Sequence, residues 1–142
     1  MNIIETIYCS QYYELKKSGR DPMKGRLNGT LLSATVILLV VISVGVIIDH
    51  YSKGHFFKHV FRINLEHSYS ARTIGRILGL VGIVVVGGIL NFTYASKARY
   101  QKMIVDWEQL PEALLENAIK RSLKVFFAVF GAFLLVMILS FV

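Results

Sequence analysis

The sequence predicts an all-α membrane protein: three transmembrane helices with an N-terminal amphipathic helix and a cytoplasmic helical hairpin. Three observations carry this reading. The chain of 142 residues is 54% hydrophobic and 18% charged, where a soluble domain has about a quarter charged residues. Its mean hydropathy is +0.54. Three runs without a charged residue, 30–48, 77–95 and 125–142, are each 18 or 19 residues long. A helix needs about 20 such residues to cross a bilayer core, and lipid offers no partner to an open strand edge. The composition excludes a disordered tail and argues against an ordinary soluble enzyme.

Residues 1–20 form the first unit. Ile3, Ile4, Ile7, Tyr8, Tyr12 and Leu15 fall on one face at helical spacing. Lys16 and Lys17 stand in the last turn, where cations suit the helix dipole, and Gly19 ends the helix. Such a helix suits the membrane surface or the protein's own cytoplasmic helices equally well. Cys9 is the one cysteine, which excludes an intrachain disulfide.

The second unit, 21–49, is the first spanning helix. Asp21 and Pro22 read as an N-cap followed by a proline in the first turn. The apolar run starts at residue 30, behind five Lys or Arg. A cleaved signal has a shorter apolar region nearer its start, so this is expected to be a retained span.

Residues 50–73 form an external loop that holds His50, His55, His59 and His67. Phe56, Phe57, Val60 and Phe61 mark a short interfacial helix within it. His55 and His59 stand one turn apart, but no third ligand has a fixed spacing to them. No metal site is expected.

The last unit, 74–142, is a helical hairpin carrying spans two and three. The helical pattern runs on past span two through Tyr100, Met103, Ile104, Trp107 and Leu110. Pro111 breaks it and opens the next helix, where Glu112 and Glu116 face the positive end. The arms 96–109 and 111–124 would each rise about 21 Å, which predicts an antiparallel hairpin.

Orientation follows from counting Lys and Arg. The N-terminal segment and second loop hold 11, and the first loop holds 5. The N-terminus is therefore expected on the cytoplasmic side and the C-terminus on the external side.

Several features are candidates for function. Gly75, Gly79 and Gly82 share a face of span two and suit close packing, on the chain's own helices or on a neighbouring subunit. A homo-oligomer is expected, since three helices bury little surface alone. The span interiors carry no charge, which argues against a proton relay or a voltage sensor. A pore would be lined by Ser33, Thr35, Ser43 and Asn91, or by apolar residues that gate by dewetting. Asn91 alternatively meets interfacial water. Lys97, Arg99, Lys102, Lys120, Arg121 and Lys124 cluster at the bases of the hairpin arms. They suit lipid headgroups, or a nucleotide or other anionic ligand on which Tyr94, Tyr100 or Trp107 would stack. With the charge divided this way, duplex nucleic acid is not an expected partner. The sequence has no GxxxxGK[ST], HExxH, GxSxG or CxxC, so neither an enzyme nor a cofactor is expected.

Two resemblances add to this reading. Pro111-Glu112-Ala113-Leu114-Leu115-Glu116-Asn117-Ala118-Ile119 is similar to a stretch of membrane diacylglycerol kinases. It precedes the third span here and the second in that family, and Lys120 stands where the family has Glu. The departures speak against a kinase. Ile7-Tyr8, Tyr12-Tyr13, Asp21-Pro22 and Asn91-Phe92-Thr93-Tyr94, followed by Lys97, Tyr100, Met103 and Ile104, carry the second. With the tail Ser140-Phe141-Val142, this layout resembles small three-span bacterial inner-membrane proteins, mostly of unassigned function. Proteins of similar layout serve as channel effectors of anti-phage systems of the Hailong type. That resemblance implies an oligomeric channel controlled by a nucleotide product of a partner enzyme. A non-catalytic accessory or scaffold subunit of a larger membrane complex is the alternative reading.

Overall fold

The computed structural model describes residues 2–53 and 68–141, with side chains over 2–53 and 76–140. Apart from short connections these residues are helical, and no strand occurs among them. In chain order the helices are α1 (Ile3–Lys17), a 3₁₀ turn (Pro22–Lys24), α2 (Gly25–Tyr51), α3 (Ser68–Thr93), α4 (Lys97–Glu108) and α5 (Glu112–Phe141). Three of them, α2, α3 and α5, are long and apolar enough to cross a membrane. The predicted interfacial helix of the first loop, with His55, His59 and His67, lies outside the described residues.

Local chemistry sets each end of α1. Asn2 and Glu5 form a capping box, with Glu5 N–H donating to Asn2 Oδ1 at 2.8 Å and Asn2 N–H to Glu5 Oε2 at 3.0 Å. Gly19 ends the helix with φ +67°, and Arg20 N–H reaches back to the Leu15 carbonyl at 2.9 Å. This arrangement needs a residue that tolerates the left-handed region, and glycine does so without strain. Asp21 Oδ1 then accepts from Met23 N–H at 2.9 Å, which starts the 3₁₀ turn that leads into α2.

The reversal folds α1 back along α2. Tyr12 lies against Gly25 and Tyr8 against Gly29, so the two helices run antiparallel. Of the two places that suited an amphipathic helix here, α1 occupies the protein's own helices. Ile7, Tyr8, Cys9, Tyr12 and Leu15 are buried, and only Ile3 of its apolar face stays half exposed.

The helix α2 is the hub of the fold, packing against α1, α3 and α5, while α3 and α5 barely touch among the described residues. Gly82 of α3 meets Leu38 and Gly87 meets Thr30, which makes α3 antiparallel to α2. The outward faces of the spans are apolar and open: Val84 is 72% exposed and Leu139 68%. Such continuous apolar exposure suits lipid and not water.

Two expectations change in the second half of the chain. The periodicity predicts a helix running unbroken from span two into the first arm. Instead α3 stops at Thr93, Ser96 is extended (φ −58°, ψ 140°), and α4 begins at Lys97. Tyr94 and Ala95 both donate their N–H to the Leu90 carbonyl, at 2.8 and 3.0 Å. The Arg99 guanidinium supplies a donor to the Thr93 carbonyl. Helical spacing survives across the break because the bend buries Ala95 and Tyr100 on the same side. The arms α4 and α5, joined through 109–111, also do not pair directly as an antiparallel hairpin would. The helix α1 takes the space between them, placing Tyr8 and Tyr12 against Tyr100 and Trp107 on one side and packing along α5 on the other.

Candidate functional site

Among the described residues, the main buried cluster lies at the junction where α1 meets α2, α4 and α5. Its core is aromatic. Tyr8, Tyr100, Trp107 and Tyr12 form a chain of ring contacts with centroids 6.1, 5.9 and 5.7 Å apart in that order. Edge-to-face and tilted geometries at this spacing are favourable. Cys9, Ala95, Leu115 and Ala118 fill the gaps.

Each tyrosine ring carries a hydroxyl to a different element. Tyr8 Oη and Thr30 Oγ1 of α2 are 2.8 Å apart. Tyr12 Oη donates to Glu108 Oε1 at the end of α4 at 3.1 Å and accepts from Lys16 Nζ at 3.2 Å. Tyr13 Oη donates to Glu112 Oε1 at the start of α5 at 2.6 Å. Tyr100 Oη donates to the Pro22 carbonyl at 3.3 Å. Two ion pairs, Lys16–Glu108 at 3.7 Å and Lys17–Glu116 at 3.8 Å, complete the far end of α1. Both are about half exposed, and such pairs contribute little.

The environment holds these groups in their neutral forms. Burial pushes the Cys9 thiol up to about 11, which leaves it protonated and unreactive at neutral pH. The hydrogen bond to Glu112 pushes Tyr13 up to about 12. Burial raises Tyr8, Tyr12 and Tyr100, and their neighbours modulate the shift. What the junction does chemically is join helices. One polar cleft of about 320 Å³ opens beside it, lined by Gln11, Glu14, Leu15, Ser18, Arg20 and Asn28.

The residues predicted as site residues are dispersed. Ser33 is buried inside the protein, at 1% exposure. Thr35 is exposed, Ser43 is partly buried, and each donates its hydroxyl back to its own helix, at Leu31 and Leu39. Asn91 is exposed on α3. Ser33 thus differs from the other three in being enclosed by its own chain. Of the predicted glycine row, Gly82 packs on Leu38, Gly79 has open space around it, and Gly75 lies outside the residues whose side-chain surroundings are described. Lys97, Arg99, Lys102, Lys120, Arg121 and Lys124 are all exposed, and no ion pair among the described residues engages them. Arg99 alone has a partner fixed by the fold, the Thr93 carbonyl. Among the described residues, no group of three or more His, Cys, Asp or Glu is placed to hold a metal ion.

The glycines that matter within the chain are Gly25 and Gly29, which the sequence reading passed over. A Cβ at Gly25 would lie 3.1 Å from the Tyr12 backbone nitrogen and 3.2 Å from its Cα. One at Gly29 would run into the ring of Tyr8, 2.8 Å from Cε1. The GxxxG spacing of Gly25 and Gly29 was the available signal.

Comparison with family models, curated proteins and solved structures finds no match to the chain.

Proposed function

We propose that the protein is a homo-oligomeric channel of a bacterial inner membrane, with α2, α3 and α5 as its spans and the junction around α1 as its control element. The observation that carries this reading is the clamp of α1 on α2. The tyrosine hydroxyls tie α1 to α2, α4 and α5, and α2 is the one span that packs against both others. Any displacement of α1 is therefore felt by the hub of the spans.

Three further points support the reading. At Gly79 and Gly88 of α3 and Gly131 of α5 an added Cβ would meet open space among the described residues. They offer close-approach positions to a neighbouring subunit. The 11-to-5 division of Lys and Arg supports a cytoplasmic position for α1 and α4. The exposed basic residues Lys97, Lys102, Lys120, Arg121 and Lys124 flank the control element. An anionic ligand, such as the nucleotide implied by the resemblance to Hailong-type effectors, would act there. Ser33, Thr35, Ser43 and Asn91 would reach a pore only through the way subunits assemble.

The test is the mass of the detergent-solubilised particle together with conductance in planar bilayers. A homo-oligomer that conducts is the expected result. A monomer that is silent in bilayers and stable only with a different partner would instead make the protein an accessory subunit.

A further inference from the structure

We infer that α1 is a reversible cover on a helix-pairing surface of the first span, whose other occupant is the same surface on a second copy of the chain. This rests on the homo-oligomer of the proposed function and names a contact held in reserve.

The surface is the row Gly25, Gly29 and Ser33, spaced i, i+4 and i+8 along one face of α2. Small residues at this spacing let two helix backbones approach closely. In the structure α1 uses that closeness, with the Tyr12 backbone over Gly25 and the Tyr8 ring over Gly29. The fit fails at the third position. Ser33 is 1% exposed, and its Oγ has no hydrogen-bond partner. This sets it apart from the other span hydroxyls. Thr30, Thr35, Ser43, Thr93 and Ser140 all donate to the carbonyl four residues back. A buried hydroxyl left unpaired is unfavourable. Continued by one turn, the antiparallel register that pairs Tyr12 with Gly25 and Tyr8 with Gly29 would bring Ile4 toward Ser33, and Ile4 has no polar side-chain atom to give it.

A second copy supplies what α1 lacks. A serine is both donor and acceptor. Two glycine rows related by a two-fold axis bring one Ser33 hydroxyl to the other, and the glycines keep the approach close. The cover is also built to leave. It is tethered through Gly19 and the exposed residues 18–21, and the ion pairs at its far end are half exposed. Its capping box is internal to the helix and does not depend on contact with α2. Its apolar face, with Ile7, Tyr8, Tyr12 and Leu15, then suits the membrane surface nearby.

The experiment follows two cysteines in the full-length protein in liposomes. Native Cys9 stands on the inward face of α1 and is fully buried, so its labelling by a maleimide reports release. In a separate Cys9→Ser series, Ser33→Cys reports row-to-row pairing by oxidation to an intermolecular disulfide. Release is driven by Tyr8→Ala with Tyr12→Ala. A milder pair, Tyr12→Phe with Tyr13→Phe, removes only hydroxyls at the far end and keeps the rings, so it folds even where the first does not. The expected result is that Cys9 labelling and the residue-33 crosslink rise together, from a trace in the otherwise native chain to most of the protein on release. Labelling of Cys9 with no crosslink overturns the pairing surface. A crosslink equally strong with Cys9 protected overturns the cover. Conductance is read separately: crosslinking on release without any conductance removes the channel and leaves this inference standing, and conductance without crosslinking does the reverse.

Discussion

Tyr8 lies across Gly29 so closely that a methyl group added at residue 29 would fall 2.8 Å from the ring's Cε1. The same tyrosine reaches Thr30, the next residue of α2, with its hydroxyl at 2.8 Å. Ring and hydroxyl thus fix α1 to α2 over one turn, and the glycine is what allows both at once.

The first prediction concerns which glycines tolerate alanine. Alanine gains about 1 kcal/mol over glycine in a helix interior. Overpacking costs about 1–3 kcal/mol. At Gly25 the new methyl meets the Tyr12 backbone, which cannot swing aside, so Gly25→Ala is expected to destabilise. At Gly29 it meets the Tyr8 ring, which is fully buried and held by its hydroxyl on Thr30, so Gly29→Ala is expected to destabilise as well. At Gly79 and Gly88 an added Cβ meets nothing within 4 Å among the described residues, and alanine is expected to be neutral or stabilising for the single chain. Thermal unfolding in detergent, followed by circular dichroism, ranks the four. Equal melting temperatures at 25 and 79 would refute the packing argument.

Larger side chains at the open positions test assembly. Gly79→Leu and Gly88→Leu are expected to lower the particle mass in detergent while keeping helix content, because the added volume meets only a neighbour. Gly82→Leu differs, since a Cβ there already approaches Leu38 Cδ2 to 2.9 Å. It should lower the stability of the chain itself. Mass photometry beside circular dichroism separates the two effects. An unchanged mass at both 79 and 88 would take those glycines out of any subunit contact.

The spans were legible in the sequence because uncharged length is a sufficient signal for a helix in lipid. The faces were harder. Gly75, Gly79 and Gly82 stand out as a row, yet the row that packs α1 is Gly25 and Gly29, just ahead of the apolar run. Its significance depends on α1 folding back, which the periodicity of 1–20 left open between lipid and protein. The break at 94–96 was hidden for a related reason. Tyr94, Tyr100, Met103 and Trp107 keep helical spacing through it, and the side chain that closes it, Arg99, read from sequence as one of six basic residues. Ser33 has the opposite lesson. Polarity within a span suggested a pore, while the fold buries the residue on the side that faces its own chain.

Alkaline pH is expected to loosen the junction. Burial pushes the Cys9 thiol from 9.0 up to about 11, and the Glu112 hydrogen bond pushes Tyr13 from 10.0 up to about 12. Tyr8 and Tyr100 move the same way, mainly through burial. A raised value means that the folded state holds its proton more tightly than the unfolded chain. The stability so gained is complete below the unfolded values and is lost as pH rises through the folded ones. Stability should therefore be flat near neutrality and fall between about pH 9 and pH 12. Glu112→Gln removes the carboxylate and should bring the Tyr13 transition down in a tyrosinate absorbance titration. A transition that does not move would show that Glu112 does not set it.

The polar contacts of α1 are expected to differ in strength according to their exposure. Tyr8→Phe deletes a hydroxyl bonded to Thr30 within a buried contact. Thr30 keeps its own bond to the Arg26 carbonyl at 2.8 Å, so no donor is stranded. The loss should be about 1 kcal/mol, the ordinary net value of one hydrogen bond. Lys17→Ala deletes an ion pair whose partners are 65% and 48% exposed. Solvent screens that pair, and its loss should change stability by less than about 0.5 kcal/mol. Raising the salt concentration should then shift the melting temperature of the Tyr8→Phe and native proteins alike. If Lys17→Ala proved the more damaging substitution, α1 would be held mainly by charge at its far end, and the hydroxyl contact with α2 would lose its place as the principal clamp.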